Sequence, residues 1–130
     1  MPVDYSGLAL PKLGSKLARA IARKTARLED ARKLRIWAHA VKERDLWKDR
    51  KTGERVRRTR DLDPLRAEAH HIESKDNPDT RYDVRNGVTL SLATHEAVTH
   101  HRLTIEGTVF FRKGGQRYID GTFAVTFVRT

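Results

Sequence analysis

The sequence predicts an α+β protein: a basic N-terminal helix, a small core of two strands and a helix, and a C-terminal antiparallel β meander. Three observations predict it. Residues 16–44 contain neither Gly nor Pro and are rich in Ala, Leu, Lys and Arg, which favours helix. Two segments able to form strands, 65–72 and 87–92, flank a polar loop and precede a helical stretch. Residues 108–129 alternate apolar and polar side chains around two turn signals. At 130 residues the chain suits one domain with a modest core.

In chain order, residues 1–14 hold two prolines and two glycines without a clear period, and read as an arm packing through Leu8, Leu10 and Leu13. Ser15 can cap the helix of residues 15–44. Leu17, Ile21, Leu28, Ala31, Leu34, Trp37 and Val41 recur at spacings near three and four, predicting one core-facing apolar stripe. The remaining faces carry Lys16, Arg19, Arg23, Lys24, Arg27, Arg32, Lys33 and Arg35. Trp37 and Trp47 are expected as packing anchors.

A turn at Lys51-Thr52-Gly53 leads into a short strand or loop bearing Arg55, Arg57, Arg58 and Arg60. A strand over 65–72 ends near His70-His71, and 73–82 with Asn77-Pro78 is loop. A strand over 87–92 and a helix over 93–102, capped by Ser91 or Thr94, complete the core of residues 45–103. In 104–130, Gly114-Gly115 predicts a two-residue hairpin and Asp120-Gly121 a second turn, giving three meandering strands.

The charge is one-sided. Residues 1–60 carry 18 Lys/Arg against 7 Asp/Glu, a net +11, whereas 61–130 carry 9 against 10, a net −1. The overall +10 points to a polyanionic partner, and the basic half is the candidate docking surface. With no cysteine, disulfides and thiolate zinc sites are excluded. No apolar run approaches the roughly 20 residues of a membrane span, and no signal-peptide pattern opens the chain, so a cytoplasmic location is expected.

Residues 66–103 hold five of the six histidines. Histidine is both a common metal ligand and a base poised near neutral pH, so a His pair, an Asn and a third His suggest chemistry on a phosphate. His70 and His71 are adjacent and face opposite ways in a regular strand, so the strand must end or bend there if both serve one site. His95 and Thr99 share a helix face, whereas His100 is rotated roughly 140° away. Asn86-Gly87 taken alone is a turn signal, and His100 and His101 read as surface or DNA-facing residues.

The joint pattern of His70-His71, Arg81-Tyr82-Asp83, Asn86-Gly87, an apolar strand and His95 resembles the HNH endonuclease family, in the form common among phage-associated members. The likeness covers 45–103. It implies a ββα-metal core and hydrolysis of DNA phosphodiester bonds, by nicking or double-strand cleavage. It further implies that His70 and His95 hold one divalent cation, that His71 is the general base, and that Asn86 orients the loop or the His71 ring. Mg²⁺ or Mn²⁺ is the expected cation, with Ni²⁺ or Zn²⁺ as alternatives. Arg55, Arg57, Arg58, Arg60, Arg81 and Arg85 are the expected DNA contacts, since guanidinium forks match phosphate oxygens.

Two departures stand out. Many members carry Cys pairs that form a zinc knuckle; here Asp49, Thr52, Ser91 and Thr94 occupy the matching places, so no structural zinc is expected. A further His four residues after the helix His is replaced by Thr99. Glu68, Glu73, Asp76 and Glu96 remain minor ligand candidates. The expected partner is DNA, with RNA open, for a monomer or homodimer. Alternatives are a non-catalytic nucleic-acid-binding protein on this scaffold, or a nuclease toxin with an immunity partner.

Overall fold

The structure, a computed structural model, describes residues 14–101, 103–111 and 115–129. The predicted arm through Leu8, Leu10 and Leu13 lies outside them. The chain divides into two compact units, Met1–Arg32 and Lys33–Thr130. Helix α1 spans Ser15–Arg44, followed by β1 Ala67–His71, a 3-10 turn Val84–Asn86, β2 Gly87–Ser91 and α2 Leu92–His101. The C-terminal strands are β3 Leu103–Gly107, β4 Val109–Phe111, β5 Arg117–Ile119 and β6 Val125–Arg129. The fold is α+β, with a long helix, short antiparallel hairpins and one short helix. Among the described residues no helix is long and apolar enough to cross a membrane.

The single apolar stripe predicted for α1 is not formed. Leu17, Ile21 and Leu28 are exposed, while Trp37 and Val41 are buried. The steps 28 to 31, 31 to 34 and 34 to 37 each fall about 60° short of a full turn, so the line rotates by half a turn. In the second unit, the last turns of α1 press Trp37 and Val41 onto the start of β2. A Cβ on Gly87 would lie 2.6 Å from Val41 Cγ2 and 2.7 Å from Trp37 Cζ2, so Asn86-Gly87 permits close packing instead of making a turn. The helix ends in a Schellman pattern, with Trp47 N donating to Lys42 O at 2.9 Å and Leu46 N to Glu43 O at 3.1 Å. Leu46 holds the left-handed position usually given to glycine, at φ 57°, and Trp47 follows at φ 54°.

Strands β1 and β2 pair antiparallel, with His70 opposite Val88 and His71 opposite Gly87. All five residues of β2 are buried. Val88 and Leu90 join Val98 and Ile105 in the core, surrounded by Ile72, Leu103, Ile119, Val125 and Phe127. The other edge of β2 is satisfied by the segment after α1: Asp45 accepts from Thr89 N at 2.8 Å, Asp49 from Ser91 N at 2.9 Å, and Arg50 N donates to Thr89 O at 2.9 Å. Arg44 and Arg50 pair with buried Asp45 at 2.9 and 2.7 Å. Arg50 also donates to the carbonyls of Gly121 and Phe123, tying this charge group to the C-terminal turn.

Asp49, Thr52, Ser91 and Thr94, the four positions expected to stand in for a zinc knuckle, form a hydrogen-bonded knot. Asp49 accepts from Lys51 N at 2.7 Å and Thr52 N at 3.0 Å besides Ser91 N. Ser91 caps α2, its Oγ accepting from Thr94 N at 3.2 Å. Burial raises the Asp49 pKa, but hydrogen bonds from the Thr94 side chain, the Ser91 and Thr52 amides and the Ser91 hydroxyl outweigh it and hold the carboxyl below its ordinary value.

The C-terminal meander needs correction. β4 pairs with β5, but β6 returns to pair with β3, giving two separate hairpin-like sheets. The β4–β5 connection runs from Phe111 to its partner Arg117, five residues instead of two, and Gly114 lies outside the described residues. Asp120-Gly121 does turn the chain. Its turn docks on the site side of the core, where Gly121 N donates to Arg85 O at 2.7 Å, and this draws the following strand away from β5.

Candidate functional site

The β1–β2 hairpin and α2 bring His70 and His95 together, their ring centroids 5.3 Å apart at an interplanar angle of 63°. Cross-strand partners project to the same face, so His70, opposite Val88, faces α2, and His71, opposite Gly87, faces Trp37. β1 ends at His71, and at that end both rings reach one cleft of about 510 Å³, lined also by Ala69, Lys75, His95 and Thr99.

Burial, with His95 and His71 adding to it, pushes the His70 pKa down to about 4, so its imidazole is neutral near pH 7 and keeps a lone pair for a ligand. Burial also lowers that of His71; the positive charges of Arg81 and Lys75 act in the same direction, against the hydrogen bond to the Arg81 carbonyl.

His71 Nε2 lies 2.9 Å from that carbonyl oxygen, which can only accept, so Nε2 carries the proton and Nδ1 holds the free lone pair in the neutral ring. The indole of Trp37 stacks on the imidazole with centroids 3.8 Å apart, and its Nε1 donates to Asp83 O at 2.8 Å. His71 is therefore fixed in plane by one contact and in tautomer by another.

Asn86 does not touch the His71 ring through any hydrogen bond. Buried to 2% exposure, it staples the loop that supplies the Arg81 carbonyl. Its Oδ1 accepts from Glu73 N at 2.6 Å, and its Nδ2 donates to Glu73 O at 3.2 Å and Thr80 O at 3.1 Å. Asn77 Nδ2, 3.2 Å from Tyr118 Oη, secures the same loop to β5.

Among the described residues no group of three or more His, Asp or Glu side chains converges as a metal cage. Glu68 is taken up by Arg66 at 2.7 Å, and Glu96 is exposed. Glu73 and Asp76 enter the loop's hydrogen bonding through their backbone amides. His100 is exposed, and the side chain of His101 lies outside the described residues. The imidazoles that could hold a cation are therefore those of His70 and His95. That donor set fits a first-row divalent ion with water completing its shell better than Mg²⁺, which prefers oxygen.

The expected DNA contacts differ in availability. Arg55 and Arg60 are exposed. Arg57 pairs with Asp63 at 2.8 Å, and Arg58 lies 3.6 Å from Glu43 and 3.9 Å over the Trp47 ring. Arg81 spends one guanidinium nitrogen on Lys75 O at 2.7 Å. Arg85 pairs with Asp83 at 2.9 Å and covers Phe110 at 4.1 Å. The sequence did not mark Trp37 or Lys75 as site residues. Trp37 precedes its ring partner by 34 positions and nothing local announces the stack, whereas Lys75 is the first cation in the loop after the His pair.

No protein family, curated protein or solved structure matches the chain.

Proposed function

We propose that the protein is a metal-dependent endonuclease of the HNH type that hydrolyses phosphodiester bonds in DNA. The observation that carries this reading is one cleft holding two imidazoles edge to face, His70 and His95, beside a third, His71, whose tautomer is set by the Arg81 carbonyl. His70 and His95 would hold one divalent cation, which when bound supplies charge stabilisation to the phosphate undergoing attack and to the leaving oxygen.

His71 takes the proton from the attacking water through Nδ1, the position left free by the Nε2–carbonyl bond. The water oxygen bonds to phosphorus, the P–O3′ bond breaks, the departing 3′ oxygen takes a proton from solvent, and the products carry a 5′-phosphate and a 3′-hydroxyl. Trp37 and the Asn86 staple hold the base in place. Lys75 lines the cleft and offers its ammonium to a non-bridging phosphate oxygen. The basic first half contributes salt-sensitive affinity independent of sequence.

The test is a supercoiled-plasmid assay with Mn²⁺, Ni²⁺, Zn²⁺, Mg²⁺ or excess chelator. Relaxation or linearisation that requires metal, and is lost in both His70→Ala and His95→Ala, supports the reading. Retardation of DNA without cleavage under every metal favours the non-catalytic binding protein.

A further inference from the structure

We infer that a recess between the last turn of α1 and residues 57–60 is a second phosphate-binding site, with Lys42 at its floor, taking a backbone phosphate of the bound strand away from the bond being cut. This rests on the nucleic-acid reading above and extends it to residues outside the histidine cleft.

The recess, about 270 Å³, is lined by Lys42, Trp47, Arg57, Arg58, Thr59 and Arg60. Four cations and a hydroxyl around one concavity match a phosphodiester better than any neutral ligand. Lys42 is the decisive member. It is half-buried, and burial lowers its pKa. Among the described residues it forms no ion pair; Glu68, the carboxylate whose charge it feels, is bonded to Arg66. A partly desolvated ammonium outside any ion pair is stabilised when a further anion enters the recess.

Neighbouring contacts keep the recess open. Trp47, at φ 54°, adopts a backbone conformation rare for a bulky residue. This sets its ring under the Arg58 guanidinium at 3.9 Å and 5.7 Å from Lys42 Nζ. Arg57 is held by Asp63 and Arg58 leans toward Glu43, so both are oriented without closing the site. Ala67, at the start of β1, also lines the recess, and His71 ends the same strand. At about 3.3 Å per residue the two sites are separated by roughly 13 Å, a span one strand of nucleic acid bridges.

The experiment uses the full chain in excess chelator, so that binding is read without cleavage. A fluorescently labelled single-stranded oligonucleotide is titrated between 50 and 200 mM salt. Lys42→Met is compared with Lys51→Met, which removes the same charge from the exposed turn. The expected result is about a tenfold weaker Kd for Lys42→Met at mid-range salt, with the salt slope reduced by about 0.7. Lys51→Met should change Kd less than twofold. Melting of Lys42→Met should match or exceed wild type, and Lys42→Gln serves as the second variant if Met disturbs the fold.

Equal losses in the Lys42 and Lys51 variants, or an unchanged Kd and slope in the Lys42 variants, would overturn the site. Binding that depends on Lys42 in a protein that never cleaves would uphold the recess while removing the hydrolase reading. Failure of wild type to bind would overturn the recess and leave the hydrolase reading to the plasmid assay.

Discussion

The indole of Trp37 lies flat on the imidazole of His71, 3.8 Å between centroids and 9° between planes. The stack joins the end of the long helix to the end of β1 and makes the proposed base part of the protein's packing. Trp37→Phe keeps an aromatic face but loses the bond to Asp83 O; a loss of about 1 kcal/mol in stability and a modest fall in turnover are expected. Trp37→Ala opens a cavity beside Val41 and Gly87 and should cost about 3–5 kcal/mol by denaturant unfolding. If Trp37→Ala melts like wild type, the stack contributes no packing.

Asn86→Ala removes the loop staple while leaving every histidine in place. Unsatisfied Glu73 and Thr80 backbone groups should cost about 1–3 kcal/mol. With the Arg81 carbonyl no longer fixed, kcat should fall while DNA affinity measured in chelator is retained. A variant that loses affinity and keeps kcat would place Asn86 in substrate binding.

The Asp49 knot predicts a particular acid sensitivity. Its folded pKa is depressed, so its stabilisation is present above the ordinary carboxylate value of 3.8 and is lost as pH falls through the lower folded value. Asp49→Asn should lower stability at pH 7 by about 1–3 kcal/mol, and the gap to wild type should narrow below about pH 4. Because these hydrogen bonds satisfy the Asp49 carboxylate within the protein, excess chelator should leave the melting temperature unchanged. A chelator-induced drop would reveal a structural metal.

Leu46 occupies a helix-ending position that favours glycine, at φ 57° and 70% exposed. Leu46→Gly should therefore stabilise the protein by up to about 1 kcal/mol, since a left-handed backbone costs an L-residue about that much. A destabilised variant in thermal unfolding would mean that the leucine packs in a way its exposure does not suggest.

The parts legible in the sequence were those set by local pattern. β-prone runs around a polar loop, and a Ser before a helical stretch, placed β1, β2 and α2 within a few residues. Adjacent histidines also require β1 to end or bend there if both are to share a cleft, and it ends at His71. What was not legible depends on rotation and distance. Spacings of three and four looked like one stripe on α1, yet three successive steps of three carried Trp37 to the side away from Leu28. The return of β6 to β3 is fixed by Gly121 and Arg50 docking on residues far away in sequence, which a hairpin signal at Gly114-Gly115 does not encode. Nothing in the sequence around Asp49 or Ser91 pairs the two, and their bonding emerges only when β2 lies beside the turn.

The most direct measurement is single-turnover cleavage of a labelled duplex by wild type and His71→Ala, each with saturating Mn²⁺ and with binding checked in chelator. A fall in the cleavage rate of 10²–10⁴-fold, with Kd within about twofold of wild type, is expected for loss of a general base that is not a metal ligand. Equal rates in the two proteins, or cleavage that persists in excess chelator, would contradict the assignment of His71 and the metal-dependent chemistry built around it.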